Sequence, residues 1–129
     1  MPGEARRYEA ELRSGLGSPP RLDLVLLGLG PDGHVASLFP GTPALEESRA
    51  LVTVGRAPKP PLERLTLTLV ALNLARCVLF LAAGAEKAQA VARALEPPGE
   101  SPLPVHRVRP SSGTVVWIVD RAASAEARG

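Results

Sequence analysis

The run Leu22-Asp-Leu-Val-Leu-Leu27, followed at once by Gly28-Leu-Gly-Pro-Asp-Gly33, constrains the fold more than any other feature of the chain. It is too short for a helix and lacks the clean alternation of a half-buried strand. It therefore fits a strand buried on both faces, as in a parallel sheet. The rest of the chain alternates in kind. Glu4 to Leu16 reads as a charged helix ended by Gly15, Gly17 and Pro19-Pro20. Leu51 to Val54 is a second strand, and Leu65-Thr-Leu-Thr-Leu69 has the period of a strand with one drier face. Ala71 to Arg76 changes to helical residues, Val78 to Leu81 is another buried strand, and Gly84 introduces a helix over Ala85 to Leu95. Val115 to Val119 is the last strand, with Asp120 placed to cap a helical tail. The spacing predicts an α/β layered fold, a mainly parallel sheet with flanking helices.

A length of 129 residues is that of one domain, spanning 1–129. With Tyr8, Phe39, Phe80 and Trp117 as its few aromatics, the core has to rest on Leu, Val and Ala. The net charge is only +2, and the arginines are scattered without a dense run or aromatic interleaving, which argues against a nucleic-acid partner. Cys77, the lone cysteine, has no internal disulfide partner and reads as a small buried hydrophobe. No apolar run reaches membrane-spanning length and no signal-peptide core opens the chain, so the expectation is a soluble, cytoplasmic protein without a membrane partner.

Chemistry concentrates in Gly28-Leu-Gly-Pro-Asp-Gly-His-Val-Ala-Ser-Leu-Phe-Pro-Gly41. It begins where a buried strand ends, the place where open α/β sheets bind ligands. A brief helical turn is expected from His34 to Leu38, stopped by Pro40-Gly41 and Pro43. Asp32 and His34 stand two apart around Gly33, so both side chains can reach one small cavity. A carboxylate beside an imidazole orients the ring, fixes its tautomer and raises its basicity, which equips it as a general base on water. Taken singly, the histidine is an ordinary surface residue and Asp32 an ordinary Pro-Asp-Gly turn residue. Their joint placement after a buried strand favours a site.

The same letters offer a rival. Gly28, Gly30 and Gly33 satisfy G-x-G-x-x-G, the dinucleotide fingerprint. That pattern needs a long following helix, which Pro40 and Pro43 forbid, and Asp32 would set a negative charge beside the phosphates. The next strand ends in Gly55-Arg56, without the acidic residue that binds ribose. Arg56 offers a contact for a phosphorylated ribose, so this reading is weak but stays open.

From Leu22 through Gly41 the sequence resembles the hallmark of the 6-phosphogluconolactonases. Pro61-Leu-Glu-Arg-Leu-Thr-Leu-Thr68, Gly84-Ala-Glu-Lys87, Leu103-Pro104 and the Trp117 strand ending at Asp120 follow in the family's order. The resemblance implies hydrolysis of 6-phospho-D-glucono-1,5-lactone to 6-phosphogluconate, with neither a metal nor an organic cofactor. It implies His34 as the base that activates water, Asp32 as its support, and Arg64 and Lys87 as holders of the substrate's phosphate. Gly28, Gly30 and Gly33 are expected to bring backbone close to the substrate, their N–H groups meeting the lactone carbonyl oxygen. The sister glucosamine-6-phosphate deaminases have a similar loop, with a glutamate five residues after the histidine. Here that residue is Phe39, which cannot hydrogen-bond an imidazole. Ser37 sits in no strained nucleophile elbow, and His106 reads as a surface residue.

Two motifs that precede this region in the family, Ser-Gly-Gly-Ser-Thr-Pro and Asp-Glu-Arg followed by Ser-Asn, do not occur in the chain. The similarity is to the family's carboxy-terminal half. It implies an incomplete phosphate site, an unpaired sheet edge and an uncovered apolar face. A chain so built is expected to self-associate or to take up a separate amino-terminal half. A binding or interaction module that has kept the loop without turnover is the alternative.

Overall fold

Val25 to Leu27 pair in parallel with Val78 to Phe80, and those in turn with Val115 to Trp117, so three short aliphatic segments distant in sequence form one sheet. The computed structural model describes residues 2–127; Met1, Arg128 and Gly129, the ends of the expected single domain, lie outside them. Along the chain come α1 (Pro2–Leu16), β1 (Val25–Leu27), β2 (Val52–Arg56), β3 (Glu63–Leu67), α2 (Leu69–Leu74), β4 (Cys77–Ala82), α3 (Ala88–Leu95) and β5 (Thr114–Val119). Single 3-10 turns occur at Pro43–Glu46, Ala85–Lys87 and Pro104–Arg107. The parallel sheet has the order β1-β4-β5, while β2 and β3 form a separate antiparallel pair.

The mixed α/β architecture is the expected one, with corrections of detail, two of them in the strands. First, β2 and β3 do not join the parallel sheet. Only residues 57–62 connect them, and a parallel neighbour needs a crossover of a dozen residues or more. Second, the run Leu22–Leu27 is a strand only over Val25–Leu27, and it is buried on one face. Val25 and Leu27 pack with Val78, Phe80, Leu69, Leu72 and Val91 in the main core, and Trp117 stacks on Phe80 at 4.4 Å. The alternate residues are bare: Leu26 is 60% exposed, Ile118 51% and Leu81 48%. In register, Leu26 lies beside Leu79 and Val116, and Leu81 beside Ile118, so these side chains form one continuous apolar row. No described element covers it. Cys77 begins β4 and is half-buried, not part of the core.

Helix α1 closes over the antiparallel pair, with Ala5 and Leu12 packing on Leu51, Val52 and Ala71. The Glu9 carboxylate accepts the Leu51 N–H at 2.8 Å, which fixes the start of β2. Gly17, at φ +79, receives the end of α1, its N–H donating to the Arg13 carbonyl. Thr68 caps α2 by accepting the Ala71 N–H. Residues 34–38 are not helical. Val35 and Leu38 form an isolated bridge around Ala36, whose φ of +50 no helix contains. After Asp120 the chain forms turns in place of the expected helix. No helix among the described residues is long and apolar enough to cross a membrane.

Candidate active site

At the end of β1 the chain folds into a closed loop. The Gly33 N–H donates to the Gly30 carbonyl, and the Gly30 N–H to the His34 carbonyl, both at 3.0 Å. Gly33 adopts φ +81, and a Cβ on it would press on Leu103 at 2.8 Å. At Gly30 the reason for glycine is different: a Cβ there would collide with Nδ1 and Cε1 of His34. These two N–H groups, expected to meet a lactone carbonyl, are committed within the loop, so an oxyanion has to find other donors. Gly28 has open space where a Cβ would stand.

The loop is buttressed from two sides. The Ser37 N–H donates to the Thr66 hydroxyl on β3 at 3.0 Å. The Val105 N–H donates to the Gly33 carbonyl, also at 3.0 Å. His106, read from sequence as a surface residue, ties this second support together. Its Nδ1 accepts the Leu103 N–H, so its Nε2 carries the proton toward the Arg93 carbonyl.

Asp32 Oδ1 lies 2.6 Å from His34 Nδ1 and also accepts the His34 backbone N–H at 3.1 Å. A carboxylate only accepts, so in the neutral ring the proton lies on Nδ1 and Nε2 keeps its lone pair. That lone pair has no hydrogen-bond partner among the described residues. On the other side of the imidazole lies Phe39, ring centroids 4.2 Å apart, and the Arg64 guanidinium sits 5.7 Å from the Phe39 centroid. Asp32, His34, Phe39 and Arg64 thus form one packed series.

Burial pushes the Asp32 carboxyl up, but the hydrogen bonds from the His34 ring and backbone N–H outweigh it, leaving the group below the usual carboxylate range. A lowered folded-state value means that the stabilisation is complete above the unfolded value of about 3.9 and is lost as pH falls through the folded value. Asp32→Asn is therefore expected to lower the urea midpoint at pH 6, with the difference from wild type closing below about pH 4. A difference that persists unchanged at pH 3 would mean that the carboxylate charge is not what stabilises the loop.

Two cavities meet at His34. One, of about 410 Å³, is lined by Gly28, Gly30, Pro31, His34 and Lys87 among others. The second, of about 200 Å³, is lined by Pro31, Asp32, His34, Phe39, Pro58, Lys59 and Arg64. Arg64 and Lys87, expected to share one phosphate, thus line two different cavities that have Pro31 and His34 in common, and Gly33 lines neither. The Lys87 ammonium donates to the Leu29 carbonyl at 2.7 Å. Its turn is tied to the end of β5, where the Asp120 carboxylate accepts the Gly84 and Ala123 N–H groups. The Arg64 guanidinium donates to the Pro61 carbonyl at 3.0 Å and the Lys59 carbonyl at 3.2 Å. Neither Phe39 nor Lys59 was assigned a role in the site from sequence. Phe39 was noted only for the hydrogen bond it cannot make, and Lys59 sits in a stretch that reads as a proline-rich loop. No group of three or more His, Cys, Asp or Glu able to hold a metal occurs among the described residues.

The fold is an α/β protein whose parallel sheet carries a hydrogen-bonded imidazole–carboxylate pair after its first strand, beside two cavities lined by Lys87 and by Lys59 and Arg64. The chain belongs to the glucosamine-6-phosphate isomerases/6-phosphogluconolactonase family, matching it over residues 2–117. It is 46% identical to the 6-phosphogluconolactonase of Homo sapiens over 123 residues, 93% of this chain and 48% of that protein. The three-dimensional structure of 6-phosphogluconolactonase from Trypanosoma brucei superposes with a TM-score of 0.82 at 34% identity, over 94% of this chain and 51% of that one. A monomeric glucosamine-6-phosphate deaminase superposes with a TM-score of 0.71 at 28% identity, over 96% of this chain and 54% of its own. The chain spans about half the length of the relatives it matches.

Proposed function

We propose that this chain carries the water-activating half of a 6-phosphogluconolactonase, hydrolysing 6-phospho-D-glucono-1,5-lactone to 6-phosphogluconate. The observation that carries this reading is the 2.6 Å Asp32–His34 bond, which leaves Nε2 unprotonated beside two cavities. His34 Nε2 takes a proton from water as the oxygen attacks C1. The bond from C1 to the ring oxygen then breaks, and the proton passes from the imidazolium to that leaving oxygen. Opening a δ-lactone needs no covalent nucleophile, so Ser37 has no part. Asp32 stays ionised and steadies the imidazolium formed in passing. Arg64 and Lys87 hold the phosphate, whose binding energy keeps C1 in place. Phe39 against the imidazole, where the deaminases place a carboxylate, favours the lactonase over the deaminase.

Residues 1–129 act as one unit of this enzyme and take a partner on the bare sheet face. The occupant is the further stretch that family members carry, by sequence resemblance the amino-terminal half. Two observations favour it: the chain spans 48% of its human relative, and the Leu26, Leu81, Val116 and Ile118 row is exposed and apolar. The test is a lactonase assay on freshly generated lactone, corrected for spontaneous opening, with the chain alone and with an amino-terminal half from a relative added. Turnover is expected when both halves are present, and self-association in sedimentation when the chain is alone. A chain that stays monomeric at micromolar concentration, with no rate in either state, would overturn this and favour a non-catalytic sugar-phosphate-binding module.

A further inference from the structure

The chain has two lysines, Lys59 and Lys87, and each borders a cavity that His34 also lines. Five arginines are neutralised locally: Arg7, Arg13, Arg56, Arg76 and Arg107 each lie within 4.0 Å of a carboxylate, their partners including Glu4, Glu9, Glu63, Asp23 and Glu46. Of the Lys and Arg side chains, only Lys59, Arg64 and Lys87 line the two cavities. Lys59, Arg64 and Lys87 have no carboxylate partner among the described residues. Asp32, the one carboxylate lining these cavities, is committed to His34. Unpaired cations lining adjoining cavities attract an anion, and Lys59 and Arg64 share one of them.

Lys59 and Arg64 are also mechanically linked. Two of the five guanidinium N–H groups are spent on the carbonyls of Pro61 and Lys59, which fixes the plane of the fork and leaves the remaining donors free. Pro58, Pro60 and Pro61 flank Lys59 and restrict its backbone, so little loop entropy is lost when an anion is gripped there. We infer that Lys59 is a further binding residue of the site, holding the substrate's phosphate together with Arg64. This rests on the sugar-phosphate assignment of the same site.

The test is titration of the full chain, labelled with 13C at lysine, with 6-phosphogluconate and separately with gluconate. Two lysines give two Cε signals, and Lys59→Gln assigns them. The Lys59 signal is expected to shift with 6-phosphogluconate and to stay in place with gluconate. Lys59→Gln should weaken 6-phosphogluconate binding about 3–10-fold, an effect sized for a solvent-exposed charge, and Lys59→Arg should restore most of it. A purely structural role would not follow charge in this way, because the bond to Arg64 uses the Lys59 backbone carbonyl. Undiminished binding by Lys59→Gln, with wild type binding well, would overturn the role of Lys59 alone. Wild type that fails to bind 6-phosphogluconate at millimolar concentration would overturn the sugar-phosphate site and this inference with it.

Discussion

His34→Ala is expected to lower kcat of the active assembly about 10²–10⁴-fold, the range general-base catalysis supplies. Binding of 6-phosphogluconate should change by no more than a few-fold. The separation follows from placement. In the proposed mechanism the imidazole presents a lone pair to water, while the grip on the anion comes from Arg64, Lys59 and Lys87, none of which hydrogen-bonds the ring. Asp32→Asn keeps the shape of the pair but offers Nδ1 an amide whose two ends differ, so the tautomer is no longer enforced and the imidazolium loses its counter-charge. It should lower kcat less than His34→Ala while leaving KM near its wild-type value. A His34→Ala variant that keeps its kcat, or one that loses ligand binding in proportion to rate, would remove the imidazole from the chemistry.

The chemical core of the site was legible in the sequence because its parts are adjacent along the chain. Asp32, Gly33 and His34 follow one strand, and their geometry depends on a few backbone angles that glycine and proline signal directly. Arg64 and Lys87 entered only through resemblance to the family, since isolated cations in a loop and a strand have no local signature. Phe39 and Lys59 were harder still. Phe39 reaches the imidazole because the loop doubles back at Ala36, whose left-handed φ nothing in its residue type announces. Lys59 reaches the cavity because β2 and β3 turn back on each other, which depends on the length of the connection between them. The same blindness produced the misreading of β1. Leu24 and Leu26 are as aliphatic as Val25 and Leu27, and hydrophobicity reports what a residue favours, not whether a neighbour is present to cover it. The bare row therefore supports the proposed partner on this face more directly than the sequence does.

Gly30→Ala should come close to abolishing activity through a single methyl group. The added Cβ would occupy the space now held by Nδ1 and Cε1 of His34, and would stand 3.0 Å from Asp32 Oδ1. Either the ring swings out, breaking its 2.6 Å bond to Asp32, or the loop backbone shifts and strains the Gly30–His34 and Gly33–Gly30 hydrogen bonds. The ring borders open cavities, so its rotation is the easier of the two, and the stability loss should stay within the roughly 1–3 kcal/mol of an overpacked site. Losing the oriented tautomer should lower kcat by about 10²-fold or more, approaching the effect of His34→Ala. The double variant decides the route. If the methyl acts only by displacing the imidazole, Gly30→Ala placed on a His34→Ala background has nothing further to disturb, and the two effects will be strongly non-additive. Additive losses would show that Gly30 serves the site by some path other than making room for the base. The imidazole–carboxylate pair would then no longer explain why this position lacks a side chain.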